Sequence, residues 1–174
     1  MLVALSGTPG TGKSTVAHKL REMGFDVLDL KDLANGLNLF EGYDKAKKSR
    51  IYDLEAVSNY ISRINEKGGI IILEGLIAHL LPVDIAIVLR CRTPILEKRL
   101  VGKGYTKEKI RENLEAEALN IISQESHDET DTYEIDTTNM NVKEVADSVE
   151  LIIKGSGSKY KKRIDFLKDV IDWY

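Results

Sequence analysis

The sequence predicts an α/β protein built on one doubly wound sheet of five parallel strands. Short apolar runs alternate along the chain with segments whose apolar residues recur at helical spacing, which is typical of parallel strands covered by helices on both faces. The chain has 174 residues, of which 43% are hydrophobic and 30% charged, as expected for one globular domain. A glycine-rich segment directly after the first apolar run lies where sheets of this kind bind ligands.

Five apolar runs are the predicted strands, at 2–5, 25–29, 70–73, 85–89 and 133–136. Helices are predicted at 13–23, 30–36, 54–67, 94–103, 107–126 and 142–153, with N-caps at Asp53, Thr93, Thr106 and Asn141,. Residues 41–44 are predicted as a turn, and the composition of 155–158 indicates a flexible linker,. We therefore divide the chain into a domain of residues 1–154 and a linker with a C-terminal tail at 155–174. The tail, which ends in Trp173 and Tyr174, is expected to pack on the domain.

The glycine-rich segment at 7–14 fits the phosphate-binding pattern G-x-x-x-x-G-K-[ST] at every fixed position,. Its glycines allow successive backbone N–H groups to point inward at phosphate oxygens, and the helix that follows favours negative charge at its N-terminus. Lys13 would reach the β- and γ-phosphates, the Ser14 hydroxyl would bind Mg²⁺, and Thr15 would contact the α-phosphate. The alternative is a glycine-rich turn that contains a Lys-Ser pair by chance. The predicted nucleotide-binding residues are Gly10, Thr11, Gly12, Lys13, Ser14, Thr15 and Lys103.

Acidic residues follow two of the predicted strands. Glu74 comes directly after the strand at 70–73, where a carboxylate holds Mg²⁺ in phosphate-binding folds, and Ser14 and Glu74 are therefore the predicted metal ligands. An ordinary acid at a strand end is the alternative. Asp29 and Asp32 follow the second strand and are expected to face the same crevice, although Asp32 could instead cap the next helix.

Three cations are predicted to converge near the phosphates. Arg90 ends a strand, and Arg99 and Lys103 lie four residues apart on one face of the next helix,. Such charges would neutralise a phosphoryl group during its transfer, and Lys13, Glu74 and Arg99 are the predicted catalytic residues. A solvated helix face with an ion pair between Arg99 and Glu97 is the alternative. The basic run at 45–50 is either a solvated loop or part of a substrate lid.

Composition excludes several other classes of function. A net charge of −3 argues against a general nucleic-acid-binding surface,. Cys91 is the only cysteine, so neither an intrachain disulfide nor a cysteine-rich metal site is possible,; we expect Cys91 to be structural. His18 and His79 are isolated, at the surface or in the core, and do not have metal-ligand spacing. No run is long enough to span a membrane, and the first strand begins at residue 2, so we expect a cytoplasmic protein.

Four spaced stretches carry a resemblance to a known family. They are GTPGTGKST at 7–15, DLA at 32–34 with GYD at 42–44, residues 74–82, and VLR at 88–90 continued by RL at 99–100 and KGY at 103–105. Together they resemble the archaeal and eukaryotic nuclear adenylate kinases of the CINAP type, over about residues 2–153. The loop alone is common to many kinases, whereas the spaced set is much more specific.

The resemblance implies a P-loop nucleoside monophosphate kinase fold and the Mg²⁺-dependent reaction of ATP with AMP to give two ADP, with a slow ATPase. It implies a monophosphate-binding segment near 30–53 and a short lid near 102–112. It also implies a role in small ribosomal subunit maturation and rRNA processing, through a ribosomal protein of the small-subunit platform. No direct sequence-specific binding of nucleic acid is expected. Because platform proteins are basic, we expect their contact on the acidic stretch formed by Glu115, Glu117, Glu125, Asp128, Glu129 and Asp131,.

Three positions depart from the family pattern. Asn35 stands where many relatives have an arginine, so another cation must bind the phosphate of AMP. Leu76 stands where many relatives have a histidine linked to hydrolysis, which puts the strength of the ATPase in question. Lys103 stands where relatives often have an arginine, which keeps the charge and loses bidentate geometry,. Two alternatives to a nucleotide kinase stay open: a nucleotide-gated assembly ATPase with little kinase activity, and a kinase for a small metabolite.

Overall fold

A five-stranded parallel sheet forms the centre of the molecule in the computed structural model, which describes residues 1–45, 49–66 and 68–171. The strands along the chain are β1 (Leu2–Gly7), β2 (Asp26–Asp29), β3 (Phe40–Asp44), β4 (Ser49–Tyr52), β5 (Ile71–Glu74), β6 (Ile85–Arg90) and β7 (Thr132–Asp136). The parallel sheet has the order β2-β5-β1-β6-β7, while β3 and β4 form a separate antiparallel hairpin. The predicted five-stranded, doubly wound sheet is therefore confirmed, with β1 in the middle.

Seven α-helices are found in the described part of the chain. They are α1 (Lys13–Glu22), α2 (Leu30–Leu37), α3 (Leu54–Asn65), α4 (Thr93–Gly102), α5 (Lys107–Ala118), α6 (Ile121–Glu129) and α7 (Val142–Ile153). Three predicted N-caps are confirmed, since Asp53, Thr106 and Asn141 each accept a hydrogen bond from the backbone N–H three residues later. The fourth is wrong by one residue: Arg92 occupies the N-cap position of α4, and Thr93 is already helical. None of the described helices has the length and apolar composition to cross a membrane.

Strand β1 is apolar on both sides because both faces of the sheet are covered. Val3 and Leu5 belong to the core on one face, which also contains apolar residues of α1 and α7. Leu2 and Ala4 belong to the core on the other face, with apolar residues of α2 and α3. This arrangement explains the continuous apolar runs in the sequence and brings the loop after β1 to the carboxyl edge of the sheet.

The single helix predicted at 107–126 is wrong, because two helices occupy this stretch. Asn120 separates α5 from α6 with a φ of 58°, a left-handed conformation that asparagine tolerates better than most residues. The Asn120 side chain also accepts a hydrogen bond from Arg90 at 2.6 Å. The break therefore places a polar group next to a buried cation.

The turn predicted at 41–44 is also wrong, because these residues lie in β3 and pair with β4. Phe40 stacks obliquely on Tyr52 across the hairpin, with ring centroids 5.2 Å apart, and aromatic pairs of this kind stabilise antiparallel strands. Of the basic run predicted at 45–50, residues 46–48 lie outside the described residues.

The stretch predicted as a linker at 155–158 has a defined conformation that ends α7. Gly155 has a φ of 78° and donates its N–H to the Ile152 carbonyl, and Ser156 donates to Leu151, as in a Schellman cap. The following segment packs on the domain as expected, with Phe166 and Val170 buried. Trp173 and Tyr174 lie outside the described residues.

Candidate functional site

The loop between β1 and α1 has the conformation that its glycines predict. Gly10 and Gly12 have φ values of 94° and 110°, in the region that favours glycine. A Cβ on Gly10 would lie 2.8 Å from Leu96 and 3.0 Å from Leu100, so the loop also packs too closely on α4 for a larger residue. No side chain caps the N-terminus of α1. Its first N–H groups are therefore oriented to receive an anion such as phosphate.

Two threonines hold the loop from inside the protein. The Thr11 hydroxyl donates to the Thr8 carbonyl at 2.9 Å, and the Thr137 hydroxyl donates to the Thr11 carbonyl at 2.9 Å. Thr11 is fully buried, so its side chain supports the loop and only its backbone could face a nucleotide. Ser14 and Thr15, in contrast, are exposed at the start of α1.

Lys13 lies against the loop that precedes it. Its Nζ donates to the carbonyls of Gly7 at 2.7 Å and Thr8 at 3.2 Å. Burial lowers the pKa of Lys13 to about 8, although the negative charges of Glu74 and Glu117 act in the opposite direction. An anionic ligand would restore the charged form and replace the two carbonyls as hydrogen-bond acceptors.

Glu74 and Ser14 meet beside the loop. The Ser14 hydroxyl lies 3.4 Å from Glu74 Oε1, and Glu74 is 5% exposed. Burial and, to a smaller extent, the neighbouring Asp29 together raise the pKa of Glu74 to about 7. Asp29 is also the N-cap of α2, where it accepts from the Asp32 N–H at 2.9 Å. Asp32 itself is exposed in the first turn of that helix, so the cap proposed for Asp32 belongs to Asp29.

The chemistry of this pair fits Mg²⁺. A hydroxyl and a carboxylate are hard oxygen ligands, and a buried carboxylate with a raised pKa gains from a cation beside it. No group of three or more His, Cys, Asp or Glu residues within the described ranges could hold a metal. The fit is therefore to a metal that takes its other ligands from substrate phosphates and water, as Mg²⁺ does.

A cavity of about 460 Å³ lies on the other side of the loop. Arg99 and Lys103 line it, and Arg99 is held by Thr137 through bonds of 3.2 Å to the hydroxyl and 2.9 Å to the carbonyl. The alternative pairing of Arg99 with Glu97 is therefore not found. The lining also includes the apolar side chains of Val16, Met140, Val142 and Val145. A smaller pocket of about 180 Å³ brings Lys103 together with Lys13, Ser14 and Glu74.

The prediction for Arg90 is wrong, because its side chain lies inside the protein and pairs with Glu117 at 2.9 Å and Glu134 at 2.7 Å. Glu117 is 2% exposed, so its prediction as part of the acidic surface is also wrong. A signal for this burial is visible in the sequence, because Glu117 continues the spacing of the buried Ile110 and Leu114 on one face of α5,.

The two isolated histidines and the single cysteine lie at the surface or in the core. His79 is buried, with ring nitrogens 3.2 Å from the Ser6 hydroxyl and 3.1 Å from a Glu125 carboxylate oxygen. His18 is exposed and lies beside Glu22. Cys91 is buried just after β6, and burial raises the pKa of its thiol. Burial and the raised pKa are consistent with the structural role expected for Cys91.

The parallel sheet and the phosphate-binding loop together define a P-loop kinase fold, which several solved structures share. A shikimate kinase from Acinetobacter baumannii in complex with shikimate aligns with a TM-score of 0.62 and 14% identity, over 88% of this chain and 93% of the other. A deoxyadenosine kinase from M. mycoides with bound dATP aligns with a TM-score of 0.55 and 17% identity, over 88% and 100%. At these identities the likeness concerns the fold alone.

Sequence relatives place the chain more narrowly. Residues 3–120 match the family described as an AAA domain. A protein of Archaeoglobus fulgidus, provisionally named an adenylate kinase, is 42% identical over 99% of this chain and 95% of its own length. One of Methanocaldococcus jannaschii with the same provisional name is 38% identical over 99% and 93%. The chain belongs to this AAA-domain family and to the family of these archaeal proteins.

Proposed function

We propose that the protein is a nucleoside monophosphate kinase that transfers the γ-phosphoryl group of ATP to AMP with Mg²⁺ and forms two ADP. The observation that carries this proposal is the phosphate-binding loop with Lys13 on one side and the Ser14–Glu74 pair on the other. Membership in a family whose relatives are provisionally named adenylate kinases supports the choice of reaction.

The donor nucleotide fits the two pockets that border the loop. The triphosphate would lie along the N–H groups of the loop, and the apolar cavity with Val16, Met140 and Val142 would take the base,. Ser14 and Glu74 would hold Mg²⁺, Glu74 through water; when bound, the ion neutralises phosphate charge. Lys103 lines both pockets and Arg99 lines the larger one beside the loop, and both are proposed to contact the transferred group.

Arg50 is the proposed cation for the phosphate of the acceptor. Its guanidinium donates to the Asn38 side chain at 2.8 Å and to Asn35 at 3.5 Å, and it lies 3.8 Å from the centre of the Phe40 ring. Neutral groups therefore hold it, and none of the ion pairs found among the described residues includes it. A guanidinium that is held in place without a counter-charge suits a phosphate dianion. Arg50, which lies next to Asn35, would therefore supply the positive charge that many relatives have at position 35.

The reaction requires positioning and charge stabilisation rather than a general base. An oxygen of the AMP phosphate attacks the γ-phosphorus of ATP as the bond from that phosphorus to the β–γ bridging oxygen breaks. Lys13, Arg99 and Lys103 stabilise the charge that develops on the transferred group and on the departing ADP. Closure of the segments 30–53 and 102–112 over the substrates would exclude water, which otherwise competes as acceptor.

A panel of acceptors in one phosphate-transfer assay tests this proposal. ADP formation from ATP is measured with each nucleoside monophosphate, with shikimate as a small-metabolite control, and with no acceptor. We expect AMP to give the fastest transfer. Turnover that no monophosphate stimulates would favour the assembly ATPase, and transfer to the small metabolite alone would favour the kinase for a small metabolite.

The variants Arg50→Lys and Arg50→Gln test the acceptor site in the same assay. Loss of a charged contact to phosphate predicts a KM for AMP raised by about tenfold or more in Arg50→Gln, with a smaller effect in Arg50→Lys. The KM for ATP should stay at the wild-type value. Arg63→Gln, which changes a cation in the last turn of α3, is the matched control. An unchanged KM for AMP in Arg50→Gln would reassign Arg50 to hairpin stability.

We further propose, on the family resemblance, a slow ATPase and a role in small ribosomal subunit maturation through a basic platform protein. The structure narrows the acidic surface, because Glu117 is buried, Glu125 lies beside His79 and Asp131 pairs with Lys161. Asp128 and Glu129 are exposed in the last turn of α6, where acids are unfavourable for the helix dipole. A binding role would account for two acids at a position that is unfavourable for the helix.

Reversal of these two acids tests the surface. The double variant Asp128→Lys and Glu129→Lys should bind the platform protein more slowly at low salt, with phosphoryl transfer unchanged. Replacement of Asp147 by lysine is the control, since Asp147 is a partly exposed acid of α7 that pairs with Lys143. Wild-type association of the double variant at low salt would place the contact elsewhere.

A further inference from the structure

A buried arginine uses all of its hydrogen-bond donors behind the phosphate-binding loop. Arg90 is 1% exposed, and its guanidinium has five N–H groups. They donate to Glu117 Oε1 (2.9 Å) and the Glu117 carbonyl (2.9 Å), to Glu134 Oε2 (2.7 Å), to Asn120 Oδ1 (2.6 Å) and to the Ile164 carbonyl (2.9 Å). We call these acceptors the Arg90 cage. Only arginine has the donors to satisfy it, and each bond to a buried charged group resists displacement.

Glu117 connects the Arg90 cage to the loop. Its Oε2 accepts a hydrogen bond of 2.5 Å from the Thr8 hydroxyl, and its Oε1 accepts from Arg90 and from the Cys91 N–H at 2.9 Å. Thr8 is 1% exposed. The Thr8 carbonyl in turn receives the N–H and hydroxyl of Thr11 and the ammonium of Lys13. Among the described residues, Glu117 is therefore the only one whose carboxylate bonds to Thr8 of the loop.

The C-terminal segment at 163–170 closes the Arg90 cage from the other side. Ile164 uses both backbone groups, since its carbonyl accepts from Arg90 and its N–H donates to Glu134 Oε2 at 3.1 Å. Asp169 fastens the segment to the start of α4 by accepting from Arg92 at 2.5 Å and from the Thr93 N–H at 3.2 Å. The contacts of Ile164 thus connect this segment through Arg90 and Glu117 to the loop.

We propose that Glu117 is a positioning residue for the phosphate-binding loop, and that the C-terminal segment strengthens this role by completing the Arg90 cage. The inference rests on the proposed function in that the loop must bind the phosphates of ATP. Glycines at 7, 10 and 12 make the loop costly to order, so a charge-assisted bond to Thr8 lowers the entropy lost on binding. A carboxylate suits this place because it accepts from Thr8, Arg90 and Cys91 together, whereas a glutamine would turn a donor toward one of them.

Substitution of Thr8 tests the proposed positioning role of Glu117. Thr8→Val keeps the shape and removes the hydroxyl, and we expect its Kd for ATP, measured by calorimetry, to rise about tenfold. Thr8→Ser restores the donor and should bind within about twofold of the wild type. In the transfer assay, the KM for ATP should rise in Thr8→Val while the KM for AMP stays constant, a split that a general loss of structure would not produce.

Circular dichroism checks that each variant is folded, and Thr8→Ala replaces Thr8→Val if the larger side chain prevents folding. Wild-type ATP affinity in a folded variant without the hydroxyl overturns the role of Glu117. A wild-type protein that binds no ATP would instead contradict the proposed function, so the two failures are distinguishable.

A double-mutant cycle tests the proposed contribution of the C-terminal segment. Asp169→Ala should weaken ATP binding about threefold in the wild-type background and have no further effect in Thr8→Val, because both changes act through the same contact. Asp165→Ala is the matched control, since Asp165 is exposed in the same segment and accepts only from the nearby Leu167 N–H among the described residues. Equal effects of Asp169→Ala in the two backgrounds, or no effect in either, overturn the role of the C-terminal segment.

Discussion

At the scale of single residues, the candidate site holds two groups that burial shifts toward their neutral forms. The pKa of Lys13 is lowered to about 8 and that of Glu74 is raised to about 7. A phosphate beside Lys13 would raise its pKa, and a divalent cation beside Glu74 would lower the pKa of that carboxyl. Both groups therefore gain from binding ATP and Mg²⁺ together, which accounts for the placement of two costly charges at one edge of the sheet.

Lys13→Ala tests the role of the loop ammonium. We expect kcat to fall on the order of 10²–10³, because one preorganised charge that contacts the transferred phosphate is lost. The readout is ADP formation from ATP and AMP, together with a thermal unfolding curve. Lys19→Ala is the control, since Lys19 lies on the same helix and pairs only with Glu22 among the described residues. Wild-type turnover of a folded Lys13→Ala protein would contradict the proposed role of Lys13 in phosphoryl transfer.

Glu74→Gln tests the proposed metal ligand. The amide keeps the size of the side chain and loses the charge that holds Mg²⁺, so activity should fall and the Mg²⁺ concentration for half-maximal rate should rise. Affinity for ATP without metal should stay close to that of the wild type. A Mg²⁺ titration at saturating ATP and AMP measures the effect. If the titration curve does not move, Glu74 has a structural role.

At the scale of elements, the C-terminal segment shows how one carboxylate can fasten a stretch with little regular structure. Asp169 accepts from Arg92 and from the N-terminus of α4. The bond from Arg92 lowers the pKa of Asp169 below its usual value of 3.8, with a smaller contribution from the Thr93 N–H. An acid at a helix N-terminus is stabilising for the dipole as well.

Asp169→Ala should therefore lower the free energy of unfolding at neutral pH. Because the folded-state pKa is depressed, this contribution is present above pH 3.8 and is lost as pH falls through the folded-state pKa,. Urea midpoints of the wild type and the variant should differ at neutral pH and converge in strong acid. A difference that stays constant across this range would mean that the charge of Asp169 does not fasten the segment.

The elements that the sequence predicts well are those whose signal is local. β1, α1 and α7 follow from an apolar run, a glycine pattern and an N-cap at Asn141, which the structure completes as a capping box with Glu144. The sequence does not predict the break at Asn120, because the partner of this residue is distant: its side chain accepts a hydrogen bond from Arg90, thirty positions earlier in the chain. The hairpin of β3 and β4 was missed because its strands are short and mostly exposed, so turn-forming residues dominated the pattern.

The candidate site also contains residues that the sequence predicts and one that it assigns wrongly. Lys13, Ser14, Glu74, Arg99 and Lys103 were predicted to come together, and they line adjoining pockets. Arg90 was assigned to the same group because it also ends a strand. Its side chain turns into the protein because Glu117 and Glu134 provide buried counter-charges, and such pairing across separate elements leaves no periodic signal in a sequence.

At the scale of the whole molecule, the proposed chemistry lies at one edge of the sheet. β1, β2 and β5 end at the loop, at Asp29 and at Glu74, and their register places Asp29 beside Glu74 and Glu74 beside Leu5. The hairpin with Arg50 follows β2 and α2, and the junction of α4 and α5 with Lys103 borders the loop. The proposed donor and acceptor segments are thus attached to a common rigid sheet and can close on it from two sides.

Hydrogen exchange measures this closure. A bisubstrate analogue that links adenosine through a phosphate chain to a second adenosine engages both proposed sites, so backbone exchange should slow in 30–45, 49–53 and 102–112 together. ATP alone should protect the loop and 102–112, since it leaves the acceptor site open. β1 is the internal control because it is fully buried and central in both states. Equal exchange at 30–45 and 49–53 with and without the analogue would contradict an acceptor site there, while protection of the loop alone would mean that the nucleotide binds without closing the molecule.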